Sequence, residues 1–241
     1  MKIVFDHKFG AQEHVDLNYY SATLIDVDES ELDDILALGW LTDINDDGEY
    51  YWYQTRSTRC NLKNFNSETD LLNVTDQLYQ SDNDKLYYDF DADLSINEMD
   101  EIYNKYCKHK KYSDLFHSEV STWLECDYKM VYYNSKNPIA WSKLRLYTEH
   151  ALETVLFVWD YKNPKLRVGI RSLVKELKWA KDNDFKYVYL GPGYEKGSIY
   201  KANIDGFEWW TGSEWSTDTT EYIRLCERDS KTHTIKQLSE F

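Results

Sequence analysis

"TVLFVWDYKNPKLRVGIRSLVKELKWAKDNDFKYVYLGPGY", residues 154–194, changes its pattern twice, and those changes decide the fold. Residues 154–161 are apolar almost without interruption, which suits a strand covered on both faces. Residues 171–184 take helical spacing, with Leu173, Leu177 and Ala180 on one side and Lys175, Lys178 and Lys181 on the other. Residues 186–191 return to strand character and end on Gly191-Pro192-Gly193. A strand, a helix and a strand over this distance predict a crossover between neighbouring parallel strands.

The loop that feeds the helix carries Arg167, Gly169, Arg171 and Ser172. Unpaired backbone amides and the helix dipole make such a position a ready anion site, with Ser172 as a helix cap that also donates to a phosphate. The same residues also suit an ordinary turn with solvated flanks. Past the second strand come Tyr194, Glu195, Ser198, Tyr200 and Lys201. The Gly-Pro-Gly break predicts that neighbouring strands part there and that these groups line the gap. Backbone amides around Leu190–Gly193 are candidate oxyanion donors. Glu195 is the candidate general base; the plain alternative is a surface loop acid. Trp209, Trp210 and Trp215 fit either core packing or an aromatic pocket.

Outward from this stretch the layout is mixed. "DESELDDILALGW" (28–40) reads as a capped helix stopped by Gly39. "WLTDI" (40–44) and "YYWYQTR" (50–56) read as a hairpin around Asn45-Asp46-Asp47-Gly48. Residues 66–98 read as acidic loops with one short helix. Residues 96–116 open as an amphipathic helix with a basic tail, and strands follow at 128–134 and 139–147. "GFEWWTG" (206–212) and "TEYIRLCE" (220–227) read as two further strands. The expected fold class is α+β, a mixed sheet flanked by helices. A smaller α+β portion is expected over 1–100 and the main domain over 101–241.

This order of elements resembles the GNAT acyltransferases, in which two parallel strands splay and the donor enters between them. The chain is further similar to the arginyl- and leucyl-tRNA–protein transferases. "RVGIRSLVKELKWA" (167–180), "KYVYLGPGY" (186–194) and "SIYKAN" (198–203) resemble that family's Gly-loop helix, "YYYLGYY" and "MRYK" segments. "ILALGW" (35–40), "YYWYQTRSTRC" (50–60) and "IYNKYCKHKKYSD" (102–114) follow its N-terminal pieces in order. The resemblance implies a GNAT-like fold and transfer of an activated aminoacyl group from aminoacyl-tRNA to an amine, on a protein N-terminus or a small molecule. Arg167, Gly169, Arg171, Ser172, Tyr194 and Ser198 would hold the donor, and Tyr200 and Lys201, with Glu195, would serve the chemistry. The chain departs from the pattern in having no cysteine before Cys60, Lys108-His109 for an Arg-His pair, and residues 195–199 where the family has "CPKM".

Two other functions fit the residues. An acyl-CoA-dependent N-acyltransferase needs a Gly loop that Arg167–Arg171 meets only in part, and a binding module on the same fold needs no donor. The net charge of −15 disfavours nucleic acid as a general partner, so tRNA would need a local basic strip such as 102–111 or 162–181. No nucleophile elbow, Walker loop or metal motif occurs, so neither a metal nor a permanently bound cofactor is expected. No run of 18 apolar residues and no signal segment are read, which predicts no membrane association. Cys60, Cys107, Cys126 and Cys226 form no CxxC pair, as expected of reduced thiols in the cytoplasm.

Overall fold

The computed structural model describes residues 2–6, 21–44, 50–66, 74–80, 96–111, 126–194 and 196–232. In chain order these form β1 (Lys2–Asp6), β2 (Ser21–Ile25), α1 (Leu32–Ala37), β3 (Trp40–Ile44), β4 (Tyr50–Gln54) and β5 (Ser57–Asn61). Next come β6 (Val74–Gln80), α2 (Ile96–Lys110), β7 (Tyr128–Asn134), β8 (Asn137–Thr148), β9 (Ala151–Trp159), α3 (Val168–Asp182) and β10 (Tyr187–Pro192). A 3-10 helix over Lys196–Asn203, β11 (Phe207–Trp210), β12 (Trp215–Ser216) and α4 (Thr219–Asp229) complete them. The chain divides into two compact units, Ser67–Val188 and Met1–Asn66 with Tyr189–Phe241.

In the Ser67–Val188 unit, β6, β7, β8 and β9 pair antiparallel in that order. Alternation along β7 gives the sheet two apolar faces. Val131 and Tyr133 join Trp141 and Val158 under Met99, Ile102 and Tyr103 of α2. Met130 and Tyr132 join Val74 and Ala140 around Val168 of α3. The Trp141 indole donates to the Met99 carbonyl at 3.2 Å, which ties α2 to its face. The sheet order sets β10 beside β9, and the amides of Lys186 and Tyr187 donate to the His150 carbonyl at 2.8 and 3.2 Å. Both strands therefore start side by side and run the same way, as the apolar run and the crossover predict. The sheet is mixed and the fold is α+β, with helices on its faces. β6 is a departure from the expected loops. Its weakly patterned residues form a strand because β7 supplies a seven-residue ladder from Val74↔Asn134 to Gln80↔Tyr128, and Lys175 pairs with Asp76.

In the other unit, β1, β2, β4 and β3 form an antiparallel sheet in that order. The expected hairpin is the β3–β4 pair, which closes on Ile44↔Tyr50; its turn, residues 45–49, lies outside the described residues. The expected cap is a capping box. Asp28 Oδ1 accepts from the Ser30 amide at 2.9 Å, and Glu31 Oε2 accepts in return from the Asp28 amide at 3.0 Å. The helix stops at Gly39, whose φ is +77°. β11 pairs antiparallel with both β12 and β5, setting Glu208 opposite Arg59, and their side chains form a buried ion pair at 2.7 Å. "TEYIRLCE", expected as a strand, lies within α4. Asp218 caps the amides of Thr220 and Glu221 at 3.0 Å, Glu221 and Arg224 pair one turn apart, and Tyr222 and Cys226 share the buried side at i, i+4.

Candidate functional site

The crossover places Arg167, Gly169 and Arg171 at the start of α3 and Ser172 one turn further in. Arg167 is the N-cap residue, left-handed at φ 51°, ψ 40°, and its amide closes the preceding 3-10 turn onto the Pro164 carbonyl at 3.1 Å. No side chain caps the helix, so the amides of Val168, Gly169 and Ile170 lack an intrahelical acceptor. Arg167 at the N-cap and Arg171 in the first turn both belong to this end of α3. Gly169 has room beside it: an added Cβ would meet only Phe157 at 3.8 Å and Trp159 at 3.9 Å, so packing does not demand glycine there. Ser172 is a correction to the expected cap. It lies one turn inside the helix, 1% exposed, and its hydroxyl donates back to the Gly169 carbonyl at 3.0 Å.

Around the end of β10, in the other unit, the expected polar groups divide. Lys201 is buried, and its ammonium donates to the carbonyls of Leu190 at 2.5 Å and Pro192 at 2.8 Å. Ser198 is buried with its carbonyl accepting from Tyr222 at 3.1 Å. Tyr194 is half-buried and Tyr200 is 44% exposed. Glu195 lies outside the described residues. Gly193 is required by close approach, because a Cβ would collide with the Tyr222 and Thr58 side chains. Its amide donates to the Arg56 carbonyl at 2.8 Å, so this member of the expected oxyanion set is already engaged. Trp209 and Trp210 are buried, and both also face a cavity in this unit.

The family model for the C terminus of arginine-tRNA-protein transferase matches residues 82–205, just over half of the chain. The chain belongs to this family. The matched segment contains α2, the strands β7 to β10, α3 and the 3-10 helix that carries Lys201. No curated protein matches the sequence.

Among solved structures, this arginine-tRNA-protein transferase family member is similar to the C-terminal domain of a candidate lysylphosphatidylglycerol synthetase from Agrobacterium fabrum. The identity is 11% and the TM-score 0.45, over 68% of this chain and 50% of that one. L-PGS from Bacillus licheniformis gives 12% and 0.43, over 62% and 52%. The GCN5-related glucosamine N-acetyltransferase region of a fungal multi-domain β-N-acetylglucosaminidase gives 12% and 0.45, over 77% and 22%. The chain thus spans about half the length of the first two.

One group that the motifs did not single out lies further along α3. Glu176 is 2% exposed, and burial pushes its carboxyl up to about 7, against the opposing effect of the Ser142 and Tyr132 hydroxyls. The Tyr132 hydroxyl donates to Glu176 Oε1 at 3.0 Å, whereas Ser142 Oγ is buried and makes no well-formed hydrogen bond. The Tyr132 bond is therefore the one that fixes the carboxyl. The signal was in the sequence, since Glu176 falls between Leu173 and Leu177 on the stripe assigned inward. Among the described residues no cluster of His, Cys, Asp and Glu has the arrangement of a metal site, and no helix is long and apolar enough to cross a membrane.

Proposed function

We propose that this chain transfers an aminoacyl group from an aminoacyl-tRNA to an amine on a protein acceptor. The observation that carries the reading is the family match over residues 82–205, which includes the whole β9–α3–β10 crossover. Arg167, Gly169 and Arg171 would meet the donor's phosphate or ribose edge, through the unpaired amides and two cations at the mouth of α3. The amine nitrogen attacks the ester carbonyl, the carbon–nitrogen bond forms, the carbon–oxygen ester bond breaks, and the amine proton leaves with the released ribose hydroxyl. No covalent enzyme intermediate is needed, so positioning supplies most of the catalysis. Glu195 would take that proton from the amine and pass it to the departing ribose oxygen, and Tyr200 would orient the reacting groups. The Lys201 ammonium would hold the β10 end that such positioning requires.

Basic residues 102–111 and 162–181 would offset the overall negative charge where tRNA docks. The reading places the reaction in the cytoplasm, where charged tRNA is available. The test is transfer of labelled amino acid from charged tRNA to peptide amines, with acyl-CoA as the competing donor. Transfer from tRNA that falls at least tenfold in Arg171→Ala at low salt supports the reading, as loss of a charged hydrogen bond worth about 1.5–3 kcal/mol requires. Turnover with acyl-CoA alone would replace it with an acyl-CoA N-acyltransferase. Absence of transfer from either donor would leave a binding module on this fold.

A further inference from the structure

Trp159, Tyr161, Tyr106 and His109 meet at the end of β9, all within the Ser67–Val188 unit. His109 stacks on Tyr161 with ring centroids 3.6 Å apart and 16° between the planes. Trp159 lies 4.0 Å from the same ring on a tilt of 39°. Two rings cannot crowd that closely onto one face, so His109 and Trp159 cover opposite faces of Tyr161. The three form a ladder. Its inner rung, Trp159, packs against the core under α3, and its indole nitrogen lies 3.9 Å from where a Cβ on Gly169 would stand. The ladder therefore begins beside the candidate donor turn and ends on the last turn of α2.

The outer rung is open. His109 is exposed, and beyond Tyr161 it makes no ring contact, ion pair or hydrogen bond among the described residues. Tyr106 already joins α2 to this loop, 5.9 Å from Tyr161 at 28°. The exposed third ring thus adds a surface more than it adds a joint.

That surface is set among cations. Lys108, Lys110 and Lys111 at the end of α2 and Lys162, Lys165 and Arg167 after β9 are all exposed. Asp160, the acid beside the ladder, is matched by Lys162 at 3.1 Å and Lys105 at 3.7 Å. This concentration of positive charge stands on a chain of net charge −15. An open flat ring inside a cationic patch fits a ligand with a flat π-face and an anionic backbone, which describes an unpaired nucleotide. An acidic peptide or an acidic lipid would use the cations and leave the ring without a partner.

We propose that His109 is the platform on which an unpaired nucleobase of the donor RNA stacks, as the next rung of the Trp159–Tyr161–His109 ladder, with lysines of the α2 end and the β9–α3 loop meeting its phosphates. The identity of that RNA rests on the aminoacyl-tRNA reading; the platform rests on the ladder.

The test reads stacking, without transfer. A short single-stranded RNA with 2-aminopurine as its 3′-terminal base is titrated with the full chain at fixed low salt. Stacking on His109 should quench the probe. His109→Ala should abolish the quench and weaken binding about fivefold or more, as loss of one base–aromatic stack requires. His109→Phe should retain both. Lys108→Ala should weaken binding and flatten its salt dependence, yet leave the quench at saturation unchanged. An RNA lacking the terminal base should bind the unsubstituted protein and His109→Ala equally. A quench that survives His109→Ala, or that is lost in His109→Phe, overturns the proposal. So does a baseless RNA that still tells the two proteins apart. Displacement by phosphatidylglycerol vesicles as effective as by unlabelled RNA would assign the patch to an acidic lipid surface instead. Quenching without transfer from charged tRNA would remove the transfer reading alone, and transfer without quenching would remove this one alone.

Discussion

Tyr132 of β7 donates its hydroxyl to the carboxylate of Glu176 on α3 at 3.0 Å, inside the core that holds the crossover helix to the sheet. The same hydroxyl lies 3.3 Å from the Ser172 carbonyl, so one phenol ties down two turns of α3. The part of α3 that follows Gly169 and Arg171 is therefore held to the sheet through a buried carboxyl that burial keeps inclined to its neutral form.

Stability should fall as that carboxyl is forced to ionise. Its folded value of about 7 lies above the 4.5 of an exposed Glu, so between those values the folded state holds more proton than the unfolded chain. The contribution is full below about pH 4.5, declines as pH rises, and is lost above about pH 7. The span corresponds to about 3 kcal/mol. Glu176→Gln keeps the acceptor oxygen and removes the titration. Urea unfolding at several pH values should show the Gln variant gaining on the unsubstituted protein through this window, with a constant difference above it.

Lys201→Met should cost about 2–4 kcal/mol, since it strips a charged donor from two carbonyls in a buried setting. The loss should be local as well, with faster amide exchange at the β10 end around Gly191 and Gly193. A variant of unchanged stability with altered turnover would assign Lys201 to the chemistry instead of to the strand.

Gly39→Ala should destabilise by about 2–5 kcal/mol. Left-handed backbone costs an L-residue about 1–2 kcal/mol, and overlap with the Trp210 ring adds a packing cost of about 1–3 kcal/mol. The near-ultraviolet circular dichroism of the tryptophan cluster should change with it. Gly191→Ala should be much milder, because nothing lies within 4 Å of that Cβ position and only the φ of +72° resists it.

Gly169→Ala separates folding from binding. The site has space for a methyl group, so thermal unfolding should be unchanged or slightly improved, as replacing glycine inside a helix allows. If the mouth of α3 holds a donor, the added Cβ should weaken donor binding, measured by competition at fixed low salt. Unaltered donor affinity would move the donor away from this turn.

The central features of the fold were legible because their causes are short-range. A continuous apolar run, a helical stripe and a strand ending on Gly-Pro-Gly specify a crossover from one stretch of chain, and the capping box of Asp28 and Glu31 is complete within four residues. α4 was misread because Tyr222, Ile223, Leu225 and Cys226 in eight residues suit either period, and its cap, Asp218, lies just before them. Strand β6 was missed because its ladder partner, β7, lies some fifty residues on and its own residues carry little pattern. The candidate donor turn was visible as residue types, yet the sequence assigned Ser172 to the wrong end of its own hydrogen bond.

By itself, the sequence determined the strand, helix and strand of the crossover and the family, because periodicity, caps and motif order are properties of neighbouring residues. The tertiary structure alone decided that Lys201 is spent on the carbonyls of β10, that Glu176 sits against Tyr132, and that Trp210 keeps an unpaired donor. Each of those outcomes depends on which distant backbone or side chain comes within hydrogen-bond range, and on whether water is kept out when it does.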